Sequence, residues 1–166
     1  MTKKELTLRL QRIKMLATDV DGVLTDSGMY YSENGEELKK FNTRDGMGMV
    51  LLRNAGYKLA IVTSEDTKIV ERRAAKLKIV DVLQGVRDKV AAMEILLKRH
   101  SLTWEEVAYI GDDVNDLQVL KRAGFAATPA DCTEENRKTA HYVTKKKGGE
   151  GCVREVCDML LAMKKP

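Results

Sequence analysis

Cysteine, histidine, proline and aromatic residues are all scarce in this 166-residue chain. Its three cysteines (Cys132, Cys152, Cys157) and two histidines (His100, His141) make no ligand-spaced cluster, which argues against a zinc site. An odd, sparse cysteine set suits a reducing cytoplasm better than a disulfide framework. Only 5% of residues are aromatic and no basic stripe is interleaved with them. The run Lys145-Lys146-Lys147 reads as a solvated loop, so no nucleic-acid partner is expected. No stretch approaches the ~20 apolar residues of a membrane span. The opening MTKKELTLRLQRIK is charged throughout and lacks the apolar segment of a leader. A net charge of +4 is mild and favours encounter with a small anion.

What remains is an ordinary globular composition, 43% hydrophobic and 33% charged, at the length of one domain (1–166). Apolar β-branched runs alternate with helical patterns, predicting an α/β fold: a Rossmann-like parallel sheet with helices on both faces. Strands are expected at KMLATD, KLAIVT from Lys58, VDVLQG from Val80, VAYIGD from Val107 and FAATPA from Phe125. TKIVERRAAKLK and DKVAAMEILLKRH carry helical spacing, and Thr103 with Glu106 has capping-box spacing. MYYSENGEELKKF breaks the alternation around Asn34-Gly35, a tight-turn pair. It predicts a projecting hairpin flap (about 28–42), or an edge hairpin that extends the sheet, and leaves no room for a separate cap domain. The C-terminal segment (about 145–166) reads as a glycine-rich hinge, then a helix with Val153, Val156, Cys157, Leu160 and Leu161 on its apolar face. Its cysteines are expected to be core packing.

Ligands of an open parallel sheet bind beyond the carboxyl ends of its strands. The expected strand ends carry Asp19, Thr63-Ser64 and Gly111-Asp112-Asp113, with Lys89 a short loop beyond the remaining central strand. Asp19 and Asp21 are two residues apart, so an extended chain turns both to one side. Carboxylates held that close repel unless a cation or a shared proton relieves them. A hard dication with oxygen ligands, Mg2+ in most cells, answers that need. Each residue has an ordinary alternative: Asp and Gly make turns, Asp113 and Asp116 suit a helix start, and Asp88 suits an N-cap. Their coincidence at one sheet edge carries the functional reading.

DVDGVLTD, a strand-end Thr63, Lys89 in GVRDK and YIGDDVND resemble, in order, the four motifs of haloacid dehalogenase superfamily phosphatases. FNTRDGMGM, YIGDDVNDLQVLKRAG and GGEGCVREVCDMLL are similar to the subfamily that dephosphorylates 3-deoxy-2-keto sugar acids, and the likeness runs from about Lys14 to Met163. The resemblance implies Asp19 as the nucleophile of an aspartyl-phosphate route and Asp21 as the proton donor and acceptor. It implies that Thr63 and Lys89 hold the phosphoryl oxygens. Mg2+ would rest on Asp112, the Asp19 carboxylate and the Asp21 carbonyl, supported by Asp113 or Asp116. It also implies a homotetramer in which a neighbour's hairpin and C-terminal segment close the site. Gly148-Gly149-Glu150-Gly151 would then be a mobile lid, with Arg154 a contact for phosphate or carboxylate. Thr43 and Arg44, in the FNTRDGMGM motif, join the candidate substrate contacts.

The chain departs from the eight-carbon pattern after the motif threonine, where Gly-Arg is usual and Ser64-Glu65 stands here. Glu65 would repel a sugar acid's carboxylate and so should face hydroxyls, as in the nine-carbon branch that acts on 2-keto-3-deoxy-nononate 9-phosphate. Arg72 or Arg73, with Lys76, would meet the distant carboxylate, in this subunit or a neighbour. Otherwise Glu65 is a helix-start acid, and the chain an octulosonate 8-phosphate phosphatase. Two readings from other classes compete. A receiver domain needs its phosphorylated aspartate on a middle strand, whereas this pair ends the first. A catalytically silent oligomerisation module is expected to lose acids that are all present here.

Overall fold

Residues Met15-Leu16-Ala17-Thr18 are buried throughout, and they form the inner strand β1 on which the sheet is assembled. The structure is a computed structural model that describes residues 2–34 and 37–164. The other strands are β2 (Tyr30–Tyr31), β3 (Glu37–Leu38), β4 (Lys58–Val62), β5 (Asp81–Leu83), β6 (Val107–Ile110), β7 (Phe125–Thr128) and β8 (Tyr142–Val143). The helices are α1 (Lys3–Arg12), α2 (Thr43–Asn54), α3 (Lys68–Leu77), α4 (Lys89–His100), α5 (Leu117–Leu120), α6 (Glu134–Thr139) and α7 (Cys152–Leu161).

The main sheet has the order β5-β4-β1-β6-β7-β8, parallel throughout. Two-residue periodicity sends alternate side chains to opposite faces. Leu16, Leu59, Ile61, Ala108 and Ile110 join the core under α1, α2, α3 and α7. Met15, Ala17, Ala60, Val62, Val107 and Tyr109 join the core under α4 and α5. Both faces are therefore covered, which is why the strands read as continuous apolar runs. The expected α/β architecture, without a cap domain, is present.

Three details differ from the sequence reading. The strand before Lys89, β5, is an edge strand and not a central one. β1, first in the chain, occupies an inner place, so sheet position does not separate this fold from a receiver. α1 and β8 were not foreseen: α1 hides Leu10 among charged residues, and β8 is only two residues long. Among the described residues, no helix is long and apolar enough to cross a membrane.

The flap is a hairpin, with Tyr30 paired to Leu38 and Tyr31 to Glu37, closed at its base by a bridge from Thr25 to Phe41. Gly35, half of the expected tight-turn pair, lies outside the described residues. The hairpin forms a sheet of its own and does not extend the main one. The C-terminal glycines have a packing reason. A Cβ at Gly148 would stand 2.0 Å from the Gly22 carbonyl oxygen, and one at Gly149 2.6 Å from the Asp26 nitrogen. Gly149 N–H also donates to the Val23 carbonyl at 3.0 Å. Within this chain the two glycines therefore seat the C-terminal segment against the loop after β1. In α7, Val153, Val156, Cys157 and Leu160 are buried as expected, with Cys152, and Leu161 is half-buried.

Candidate active site

The loop that leaves β1 folds back at once. The N–H groups of Val23, Leu24 and Thr25 all donate to the Val20 carbonyl, at 3.2, 2.8 and 3.0 Å. Gly22 takes a left-handed φ of +77° at the crown, where a Cβ would meet Asp112 Oδ2 at 1.9 Å. Glycine there admits both the turn and the close approach of Asp112. Asp19 is fixed through its backbone, donating to the Ile110 carbonyl at 3.0 Å, and through Oδ1, which accepts from Val20 N–H at 2.7 Å.

Around Asp19 the expected strand ends converge. An open cleft of about 280 Å³ is lined by Asp19, Asp21, Thr63, Ser64, Glu65, Asp112 and Asp113, with Ser27, Met29 and Asn115. Lys89, first residue of α4 and capped by Asp88 as expected, lies buried beneath. Its Nζ donates to Asp19 Oδ2 at 2.6 Å and Asp116 Oδ1 at 2.7 Å. Burial works against its charge, yet the two carboxylates prevail and hold it above the usual lysine range.

Asp116 is wholly buried and fully engaged. Oδ1 also accepts from the Tyr109 hydroxyl at 2.6 Å, and Oδ2 from Asp112 N–H at 3.1 Å. It therefore acts as a brace for Lys89 and for the Asp112 loop. Asp113 is exposed and caps the short helical turn that follows, accepting from Val114 N–H at 2.7 Å. Asp112 differs: its Oδ1 is buried and has no hydrogen-bond partner among the described residues.

That orphan oxygen is the test of a cation here. Asp19, Asp112 and Asp116 each offer an oxygen, all within 4.8 Å of one another. Burial first, then Asp19 and Asp116, pushes Asp112 up to about 8. Burial and then Asp116 push Asp19 up to about 6, despite Lys89. One lysine does not neutralise three gathered carboxylates, and a hard dication fits the remaining oxygens.

The consequence for stability has a definite sign. Between the ordinary aspartate value of 3.8 and about 8, the metal-free folded chain holds protons that the unfolded chain has released. Its stability should therefore fall as pH rises through that window. Mg2+ at about a hundred times its dissociation constant should add about 2.7 kcal/mol, or about 5–10 °C in Tm. The gain should grow toward pH 8. Thermal melts with chelator or Mg2+ across pH check this, and a Tm indifferent to Mg2+ at every pH would contradict it.

The remaining expected substrate contacts separate into two groups. Ser64 and Glu65 face the cleft, and Asn115 Nδ2 donates to Ser64 Oγ at 3.3 Å. Glu65 is not a helix-start acid, since α3 begins at Lys68 with Thr67 as its cap. Arg73 is engaged within the fold: Nη2 donates to the Asn42 carbonyl at 2.9 Å, and the guanidinium lies over Phe41 at 5.3 Å. Arg72 and Lys76 are exposed on α3, and Thr43 on α2. Arg44 and Arg154 line a different hollow with Lys146 and Glu150, and Arg154 Nε pairs with Asp158 at 2.7 Å. Among the described residues, none of these six lines the acidic cleft.

Lys39, Tyr109, Ser27, Met29 and Asn115 were not anticipated. Lys39 pairs with both oxygens of Asp21, at 2.7 and 2.9 Å, from the base of the hairpin. No local pattern marks it, because its place depends on how the hairpin folds back.

Comparison with known proteins agrees with this geometry. Residues 44–124 match the haloacid dehalogenase-like hydrolase family. The chain is 43% identical over 153 residues to the 3-deoxy-D-manno-octulosonate 8-phosphate phosphatase KdsC of Salmonella typhi, covering 92% of this chain and 81% of that one. Its fold superposes with a TM-score of 0.94 on the 3-deoxy-D-manno-octulosonate 8-phosphate phosphatase of Yersinia pestis, at 42% identity, covering 96% of this chain and 86% of that one. The Moraxella catarrhalis phosphatase of the same name, solved with magnesium ion, phosphate ion and KDO, gives a TM-score of 0.96 at 38% identity, covering 98% and 94%. With sequence and fold agreeing over nearly the whole chain, the protein belongs to the cap-less 3-deoxy-octulosonate 8-phosphate phosphatase family of haloacid dehalogenase-like hydrolases and is a phosphoric monoester hydrolase.

Proposed function

We propose that this enzyme hydrolyses the phosphomonoester of a 2-keto-3-deoxy sugar acid, with the nine-carbon 9-phosphate preferred, and that it uses Mg2+. The buried Asp19-Lys89-Asp116 ion pairs, beside an Asp112 oxygen that has no hydrogen-bond partner among the described residues, carry the phosphatase part. In this reading Asp19 attacks phosphorus while the bond to the sugar oxygen breaks, and Asp21 gives that oxygen its proton. Asp21 then takes a proton from water as water attacks the aspartyl-phosphate, which returns Asp19 to the carboxylate. Thr63, at the end of β4, and Lys89 hold phosphoryl oxygens; phosphoryl transfer depends mainly on such positioning and charge. Mg2+, when bound by Asp19, Asp112 and the Asp21 carbonyl, supplies positive charge against the phosphoryl oxygens.

Glu65 at the cleft supports the nine-carbon preference, because a carboxylate there suits hydroxyls better than an acid group. The relatives' shared name supports the eight-carbon substrate as the second reading. Phosphate release from 2-keto-3-deoxy-nononate 9-phosphate and 3-deoxy-octulosonate 8-phosphate, side by side with Mg2+, separates them. The expected nine-carbon preference should shrink about 10-fold or more in Glu65→Arg, which replaces a carboxylate that accepts from hydroxyls with the donor-only, cationic group that stands here in the eight-carbon pattern. An eight-carbon preference, unchanged in that variant, would remove Glu65 from specificity. No release from either substrate would favour the silent module.

We further propose a cytoplasmic homotetramer, in which the hairpin (about 28–42) and the C-terminal segment (about 145–166) of one subunit cover a neighbour's cleft. Exposed Tyr30, Tyr31 and Leu38 at the hairpin support this, as does a cleft without its own cap. Across such a boundary Thr43, Arg44, Arg72, Arg73, Lys76 or Arg154 would reach a substrate tail. A monomeric mass by light scattering would end that reading.

A further inference from the structure

Lys39 stands at the end of β3, where the strand alternation still operates. Leu38 is 60% exposed, and the Lys40 side chain is 62% exposed and pairs with Asp26. Between them the Lys39 side chain is turned inward and fully buried. Burying an ammonium is costly unless an opposite charge meets it, and here the partner is Asp21. The contact is two-point, Nζ to Oδ1 at 2.7 Å and to Oδ2 at 2.9 Å. Thr25 Oγ1 holds Oδ1 from the other side at 3.3 Å. Asp21 is still about a quarter exposed and lines the cleft, whereas Lys39 does not line it.

We propose that Lys39 is a positioning residue. It clamps the plane of the Asp21 carboxyl so that one oxygen faces the leaving sugar oxygen, and it thereby makes the seating of the hairpin a condition of proton transfer. This rests on the reading of Asp21 as the proton donor. Because the clamp acts through Asp21 and does not touch the phosphoryl group, its loss should depend on the leaving group. A sugar alkoxide must be protonated as the P–O bond breaks. A nitrophenolate leaves without a proton.

The test compares the sugar acid phosphate with p-nitrophenyl phosphate, using wild type, Lys39→Met, Lys39→Arg and Asp21→Asn, all with Mg2+. The readout is kcat/KM, which reads only the steps through departure of the leaving group and omits the later step where Asp21 is base for both substrates. Lys39→Met should lower kcat/KM on the sugar acid phosphate about 10–100-fold, part of the range spanned by general acid catalysis, with p-nitrophenyl phosphate within about 3-fold. Lys39→Arg should recover most of the loss. Asp21→Asn should show the same selectivity more strongly. Equal losses on both substrates in Lys39→Met, with Asp21→Asn selective, would mean a general structural role and overturn the proposal. No loss in Lys39→Met would also overturn it. If Asp21→Asn itself is unselective, the proton-donor reading fails, and the role of Lys39 fails with it.

Discussion

Asp19→Asn should retain its fold and lose turnover by about 10⁴-fold or more, the scale seen when an enzyme's nucleophile is removed. The substitution conserves volume, and the new amide still meets Val20 N–H through its oxygen. What disappears is, among the described residues, the only carboxylate that combines a fixed orientation, a place at the cleft and direct contact with Lys89. Asp112 is not a substitute: it lies on the next strand's loop and would have to leave the cation position. Steady-state phosphate release, alongside the circular dichroism spectrum and melt, separates chemistry from folding. A variant within about 10-fold of wild type would place the nucleophile elsewhere.

Lys89→Met carries the second large effect, and it falls on stability as well as activity. Lys89 is 3% exposed and is the cation between Asp19 and Asp116. Methionine fills the volume but leaves buried carboxylates without a countercharge. Breaking such a pair from one side costs about 3–5 kcal/mol. For a chain of this size that is about 10 °C or more in Tm. Excess Mg2+ should restore part of this loss, because a second cation would stand among the same oxygens. Activity should fall about 10²–10³-fold even where the fold is saved, the magnitude of one charge-stabilising donor. A metal-free Lys89→Met protein that melts with wild type would mean that the buried ion pairs do not hold the site together.

The sequence made the acidic centre readable because its geometry is largely local. Asp19 and Asp21 share the loop that leaves β1, although a turn on the Val20 carbonyl replaces the expected extended spacing. Asp112 and Asp116 share the loop after β6, and neighbouring parallel strands bring the two loops to one edge. Lys89 was readable for a similar reason, through the Asp88 cap that sets its place at a helix start. The strand order was not readable, since chain order alone leaves β5 free to be central or at the edge. Tyr109 reads as a core residue, and only the buried Asp116 reveals that its hydroxyl has work. Arg73 was readable only as a basic residue at helical spacing, and its contacts with the Asn42 carbonyl and the Phe41 ring depend on the fold. Lys39 could be found only once the hairpin's return path was known. Glu65 was readable as a cleft residue, but its helix-start alternative fell only when α3 began at Lys68.

The central claim is that Asp19 receives the phosphoryl group. Rapid-quench turnover of a sugar acid phosphate labelled with 32P, in the presence of Mg2+, tests it most directly. An acid-stable, hydroxylamine-labile label should appear within the first turnover, map to the peptide carrying Asp19, and be absent from Asp19→Asn. Turnover without any such label, or a label mapped to another residue, would contradict the account.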